Sequence, residues 1–151
     1  MDNIIISDTS CLIVLDRIGH LYILQNIFQN IITTDEVQKE FGQPLPKWIS
    51  IQKVINTEKL KELEAIVDKG KASAIALALE TPDSVLIIDE KKGRNLASKY
   101  HIQIIGTLKV ILIAKQKGII QSVKPIINQL QQEGFRFSGA LLDYLLTQSD
   151  E

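Results

Sequence analysis

Four short apolar runs, Ile4 to Ile6, Ile31 to Thr33, Val85 to Ile88 and Gln103 to Ile105, are separated by longer stretches with apolar residues at helical spacing. Runs of this length rich in β-branched residues read as buried strands. Strand and helix in alternation are the pattern of a parallel sheet with helices on both sides. The expected fold class is therefore α/β, with a central parallel β-sheet flanked by helices on both faces.

Helical stretches are expected at residues 11–19, 21–28, 34–41, 90–101, 107–117, 123–133 and 138–148, the last two flanking the turn sequence GFRF. Residues 56–70 start on Asn and Thr and end on Gly70, which reads as a helix with its C-terminal glycine. An alanine-rich helix is expected over 70–83, stopped by Pro82. The two prolines of GQPLPKW forbid a helix there, and WISIQKV, residues 48–54, alternates like an edge strand. No repeat, low-complexity tract or linker divides the 151 residues, so one domain over 1–151 is expected.

The net charge is −1, so no global positive field draws in nucleic acid or a membrane surface, and any such contact must come from a local patch. A lone cysteine, Cys11, excludes an internal disulfide and a Cys-rich zinc site, and suits a reducing cytoplasm. The first apolar run breaks at Ser7 without a basic lead-in, unlike a secretory signal. Lysines interrupt the most apolar stretch, residues 107–120, well short of a membrane span. A soluble, cytoplasmic protein with no membrane partner is expected.

Chemistry gathers where strands end. IIISD puts Asp8 after the first strand, and VLIIDE puts Asp89 and Glu90 after a later one. Asp8 is placed to cap the helix that follows, and also to face a ligand at the carboxyl edge of the sheet. In a parallel sheet Asp8 and Asp89 converge if their strands are neighbours. Two carboxylates brought close need a proton or a cation between them, and oxygen-only sites suit Mg²⁺ or Mn²⁺. A third acid is sought in ITTDEVQKEF, where Glu36 and Glu40 share a helix face. Thr33 to Glu36 has the spacing of a capping box, which would occupy Glu36, so Glu40 is the preferred site residue. Glu36 and Glu90 remain possible extra ligands.

The segments SDTSCLIVLDRIG, ITTDEVQKEF, KASAIALALE, VLIIDEKKGRNLA, IIGTLKVILIAKQKGII and EGFRFSGALLDYLL together resemble PIN-domain proteins of the DUF3368 subfamily, which is similar to the toxin ribonucleases of VapBC toxin-antitoxin systems. The resemblance implies a PIN fold with five parallel strands and an acidic cluster that binds Mg²⁺ or Mn²⁺ to hydrolyse RNA. By matching position, Asp8, Glu40 and Asp89 are the catalytic and metal-site acids, and Thr9 or Ser10 supplies a hydroxyl. It also implies a homodimer and a small antitoxin that covers the pocket. Leu24, Phe28, Leu141 and Leu145 are candidates for the dimer face.

One departure weighs against catalysis. Where the family usually reads Gly-Glu with another acid two residues on, this chain has Gly70, Lys71, Ala72 and Ser73. The next acid on the helix, Glu80, lies about 13 Å further along at roughly 1.5 Å per residue, and Asp68 would have to swing in. An ammonium where a cation should bind lowers metal affinity. Two function classes are therefore expected: an impaired or metal-demanding ribonuclease, or an inactive PIN-like module that binds nucleic acid or an antitoxin. A dinucleotide-binding domain is a distant third, since no G-x-G-x-x-G follows the first strand. Cys11 stands where the family often has proline and Lys109 where it often has glycine; no motif ties Cys11 to either histidine as a nucleophile. Lys91, Lys92 and Arg94 follow Asp89 and are the phosphate-binding candidates, Arg94 first. Lys115 and Lys117 read as a solvated helix face.

Overall fold

The computed structural model describes residues 3–151. Five strands, β1 (Ile4–Ser7), β2 (Asn30–Thr33), β3 (Ile49–Ile51), β4 (Ser84–Ile87) and β5 (Gln103–Ile105), form one sheet in the order β3-β2-β1-β4-β5. All four pairings are parallel. The expectation from the apolar runs holds, and the edge strand falls inside WISIQKV.

Alternation along each strand divides the core in two. Ile5, Ile31 and Ile87 point to one side, where α1 (Thr9–Arg17), α2 (Tyr22–Ile27), α7 (Thr107–Gln116), α8 (Lys124–Gln132) and α9 (Gly139–Gln148) pack. Ile6, Ile32 and Leu86 point to the other, against α4 (Thr57–Glu64), α5 (Lys69–Glu80) and α6 (Lys91–Lys99). Both faces are thus covered, which is why the inner strands β1, β2 and β4 read as nearly continuous apolar runs, while the edge strand β3 alternates. The remaining helix, α3 (Asp35–Phe41), follows β2 and contacts α5 and α1. Leu24 and Leu145 are 0 % and 2 % exposed and belong to the first core. They are core residues and not a dimer face. Phe28 packs against the same core, while Leu141 is exposed.

Two boundaries differ from the sequence reading. The helix expected over 56–70 ends at Glu64, because Asp68 takes an extended backbone and caps α5 by accepting from the Lys71 N–H. Gly70 lies inside the first turn of α5 and is no helix terminus. The capping box expected at Thr33 and Glu36 does not form either. Thr34 is the cap, accepting from Val37 N–H at 3.1 Å. Thr33 turns its hydroxyl onto the Ser7 carbonyl at 2.8 Å, tying β2 to β1 at the edge where the acids stand. Among the described residues no helix is long and apolar enough to cross a membrane.

Candidate active site

Because β1 is central and the chain leaves it towards β2 on one side and returns to β4 on the other, the carboxyl ends of β1 and β4 form the switch point of the sheet. Ser7 pairs with Ile87, and the Asp8 N–H donates to the Ile87 carbonyl at 3.2 Å. Asp8 and Asp89 therefore emerge from adjacent strands.

Asp8 is fully buried. Its Oδ1 accepts from the Cys11 N–H at 3.1 Å and caps α1, while its Oδ2 is buried with no hydrogen-bond partner among the described residues. The capping and the ligand-facing readings of Asp8 thus fall on different oxygens of one carboxylate. Burial pushes this carboxyl up to about 7, with the Cys11 hydrogen bond pulling the other way; the charge of Asp89 raises it and that of Lys71 lowers it. Asp89 is half-buried and held by one residue: its Oδ1 accepts from the Thr107 N–H at 2.8 Å and its Oδ2 from the Thr107 hydroxyl at 2.6 Å. Thr107 opens α7, so the helix N-terminus that follows β5 positions the acid that follows β4. Sequence reasoning missed Thr107, although a threonine just past a strand end, as Thr9 is in IIISDT, was a signal to follow.

Glu40 approaches from α3. Its Oε1 accepts from the Thr9 hydroxyl at 2.5 Å and its Oε2 from the Gly70 N–H at 3.2 Å. Gly70 makes this approach possible, since a Cβ there would stand 1.9 Å from Glu40 Oε1 and 2.8 Å from Thr9 Oγ1. The first turn of α5 thus contributes a backbone N–H where its Lys71 offers no carboxylate. Of the hydroxyl candidates, Thr9 is buried against Glu40 and Ser10 is half-buried. Glu36 sits half-buried in the first turn of α3.

Lys71 turns inward. Its side chain is 14 % exposed, with Nζ 3.0 Å from Asp68 and 3.8 Å from Glu90. Desolvation works against its charge, but the Asp68 ion pair and the fields of Asp8 and Glu90 hold the ammonium protonated above its ordinary range. Both Asp68 oxygens are committed to Lys71, one to its N–H and one to its ammonium. Those bonds hold the Asp68 carboxyl low against the opposing effect of burial. Glu90 caps α6 by accepting from Lys92 N–H at 3.0 Å. Ser73 is buried, donating to the Gly70 carbonyl at 2.8 Å and paired with the Thr34 hydroxyl at 2.7 Å, so its oxygen is occupied within the protein. Glu80, at the far end of α5, accepts from the N–H groups of Ile55 and Asn56.

Arg94 lies beside Asp89, with Nη1 donating to the Ile88 carbonyl at 2.8 Å. Gly106 leaves room for both, since a Cβ there would meet Asp89 Oδ1 at 3.0 Å and Arg94 Nη1 at 3.1 Å. Lys91 and Lys92 are exposed on the outer side of α6. Burial, with Asp89 and Asp8 adding to it, pushes the Cys11 thiol up, which makes it a packing residue and not a nucleophile.

Among the described residues no three of His, Cys, Asp and Glu are gathered to hold a metal ion. What the fold does bring together is two acids, and Mg²⁺ takes as few as one or two carboxylates while keeping its waters. The partnerless Oδ2 of Asp8 beside Asp89 fits that minimal demand, with the Lys71 ammonium competing for the same negative charge.

The family model for the DUF3368 PIN domain matches residues 4–151, and the chain belongs to that family. No curated protein and no solved structure matches it significantly.

Proposed function

From membership of the PIN-domain family, and the general nuclease activity that goes with it, we propose that this chain is a metal-dependent ribonuclease of the toxin-antitoxin type whose site is weakened by Lys71. The observation that carries the proposal is the buried, partnerless oxygen of Asp8 next to Asp89 at the sheet's switch point. A fully buried carboxylate oxygen without a donor is costly unless something occupies it in the working protein.

In this reading Asp8 and Asp89 hold Mg²⁺ or Mn²⁺, and Glu40, steadied by Thr9 and Gly70, closes the acidic side of the pocket. When bound, the cation supplies positive charge to the phosphate and a more acidic water. Thr107 fixes both Asp89 oxygens, so that acid does not have to reorganise when substrate arrives. Arg94 orients a phosphate beside the acids, with Lys91 and Lys92 outside it. Lys71 answers part of the negative charge a cation would otherwise neutralise, which raises the metal concentration required. The substrate is RNA, and the partners are a small antitoxin and a second copy of the chain.

A second reading is favoured by Lys71 itself. With its ammonium already shared between Asp68, Glu90 and the field of Asp8, the pocket carries a counter-ion of its own, as a noncatalytic nucleic-acid or antitoxin-binding module would. The two separate on one assay: cleavage of a mixed RNA pool in Mg²⁺ and then Mn²⁺, run beside Asp8→Asn from the same preparation. Metal-dependent cutting that vanishes in the variant supports the nuclease. Equal or absent cutting in both transfers the conclusion to the binding module.

A further inference from the structure

Beside Asp89 a cavity of about 380 Å³ opens between α6, the start of α7 and the turn joining α8 to α9. Asp89, Arg94, Lys109, Phe135, Arg136 and Phe137 line it. Its volume is at the small end of ligand pockets, about 300–1,000 Å³, with room for a base and its sugar. Two features mark it. It gathers three cations on a chain whose net charge is −1, and the acid in its wall, Asp89, is turned onto Thr107. It also presents two of the chain's four phenylalanines on a single turn, their ring centroids 6.1 Å apart and their planes 53° apart.

Phe135 and Phe137 are half-buried, packed on the core through one side while lining the cavity. That fixes their rings without any ligand to order them. Lys109 and Arg136 are exposed, and Arg94 is pinned at the wall by its bond to the Ile88 carbonyl. Fixed aromatic rings with flanking cations are the means by which proteins hold unpaired nucleotides, stacking the bases and neutralising the phosphates. The turn carrying them, GFRF, and Lys109 do no work in the acidic site itself.

We propose that this cavity is the seat of the single-stranded RNA segment next to the scissile phosphate, with Phe135 and Phe137 as stacking surfaces and Arg136, Lys109 and Arg94 as phosphate contacts. The proposal rests on the ribonuclease reading for the identity of the ligand, and charge complementarity at Asp89's own edge argues for RNA in preference to a protein segment.

The test is binding without cutting. A 5′-labelled single-stranded RNA heptamer is titrated with the protein in EDTA and followed by fluorescence anisotropy over a series of salt concentrations. The Lys109→Gln/Arg136→Gln double variant is compared with Lys61→Gln/Lys99→Gln, which removes the same charge from exposed positions outside the cavity. Binding weakened about tenfold or more in the first pair, with a salt slope shallower by one to two, and nearly unchanged binding in the second, establish the groove. Phe137→Leu, which keeps the apolar packing, should weaken binding with little change in salt slope. Equal losses in both pairs, no loss in either, or a wild-type chain that does not bind the heptamer overturn the assignment and leave the cavity to a protein partner. The nuclease reading stands or falls separately: groove-dependent binding without cutting in Mg²⁺ or Mn²⁺ removes catalysis alone, and metal-dependent cutting at unchanged KM in the groove variant removes the groove alone.

Discussion

Asp8 makes the protein's stability depend on pH in the sense opposite to that of most carboxylates. In the folded chain its carboxyl keeps the proton to about pH 7, whereas once unfolded it ionises near 3.8. Between these values the folded state holds a proton that the unfolded chain has released, so folding weakens as pH rises through that window and levels off above it. At about 1.4 kcal/mol per pH unit this amounts to a ceiling of about 4 kcal/mol. Asp8→Asn replaces the protonated carboxyl with a neutral group of the same shape, whose Oδ1 still accepts from Cys11. In EDTA the variant should match wild type near pH 4, exceed it increasingly up to about pH 7, and keep a nearly constant lead from there to pH 8. For a chain of this length, roughly 2–4 °C in Tm per kcal/mol makes the gap on the order of 10 °C. Thermal unfolding of both proteins at pH 4, 5, 6, 7 and 8 measures it. Parallel profiles would refute the reasoning, because they would mean that the Asp8 carboxylate is solvated or neutralised in the folded protein.

Lys71→Glu should raise Mg²⁺ or Mn²⁺ affinity and metal-dependent cutting at least tenfold, by replacing a competing ammonium with a ligand oxygen; titration calorimetry and RNA cleavage read the two effects, and no gain in either counts against Lys71 as the weakening residue. Gly70→Ala should expel the Glu40 carboxylate from its seat on Thr9 and the Gly70 N–H. Since the atoms in the way are side-chain ends, and alanine recovers roughly 1 kcal/mol of helix propensity, Tm should move by only a few degrees while cutting falls. Undiminished cutting would remove Glu40 from the site.

The three inner strands, β1, β2 and β4, were legible because they are mostly buried on both faces, so that runs such as Ile4 to Ile6 had no polar alternation, whereas the exposed edge strand β3 showed itself by alternating. The pairing of Asp8 with Asp89 was readable too, conditional only on β1 and β4 being neighbours. What failed was local. Asp68, Lys69 and Gly70 look like the end of one helix, yet they are the start of the next, because the glycine answers to Glu40 from α3 and not to its own helix. Thr34 instead of Thr33 caps α3 because the Thr33 hydroxyl is drawn to the Ser7 carbonyl across the sheet. No local pattern encodes such partners. The inward turn of Lys71 is of the same kind, set by Asp68 on one side and Glu90 from another helix on the other.

That lysine also bears on how the chain can change. Lysine and glutamate codons differ only in their first base, so a single A-to-G substitution turns the ammonium of Lys71 into a carboxylate at the same place. The new acid would stand among Asp8, Asp68 and Glu90, and among the described residues Lys71 is the cation ion-paired with Asp68 and Glu90. Such a descendant would gain a ligand and lose its internal counter-ion together, and its folding would come to depend on the metal supply of the cell.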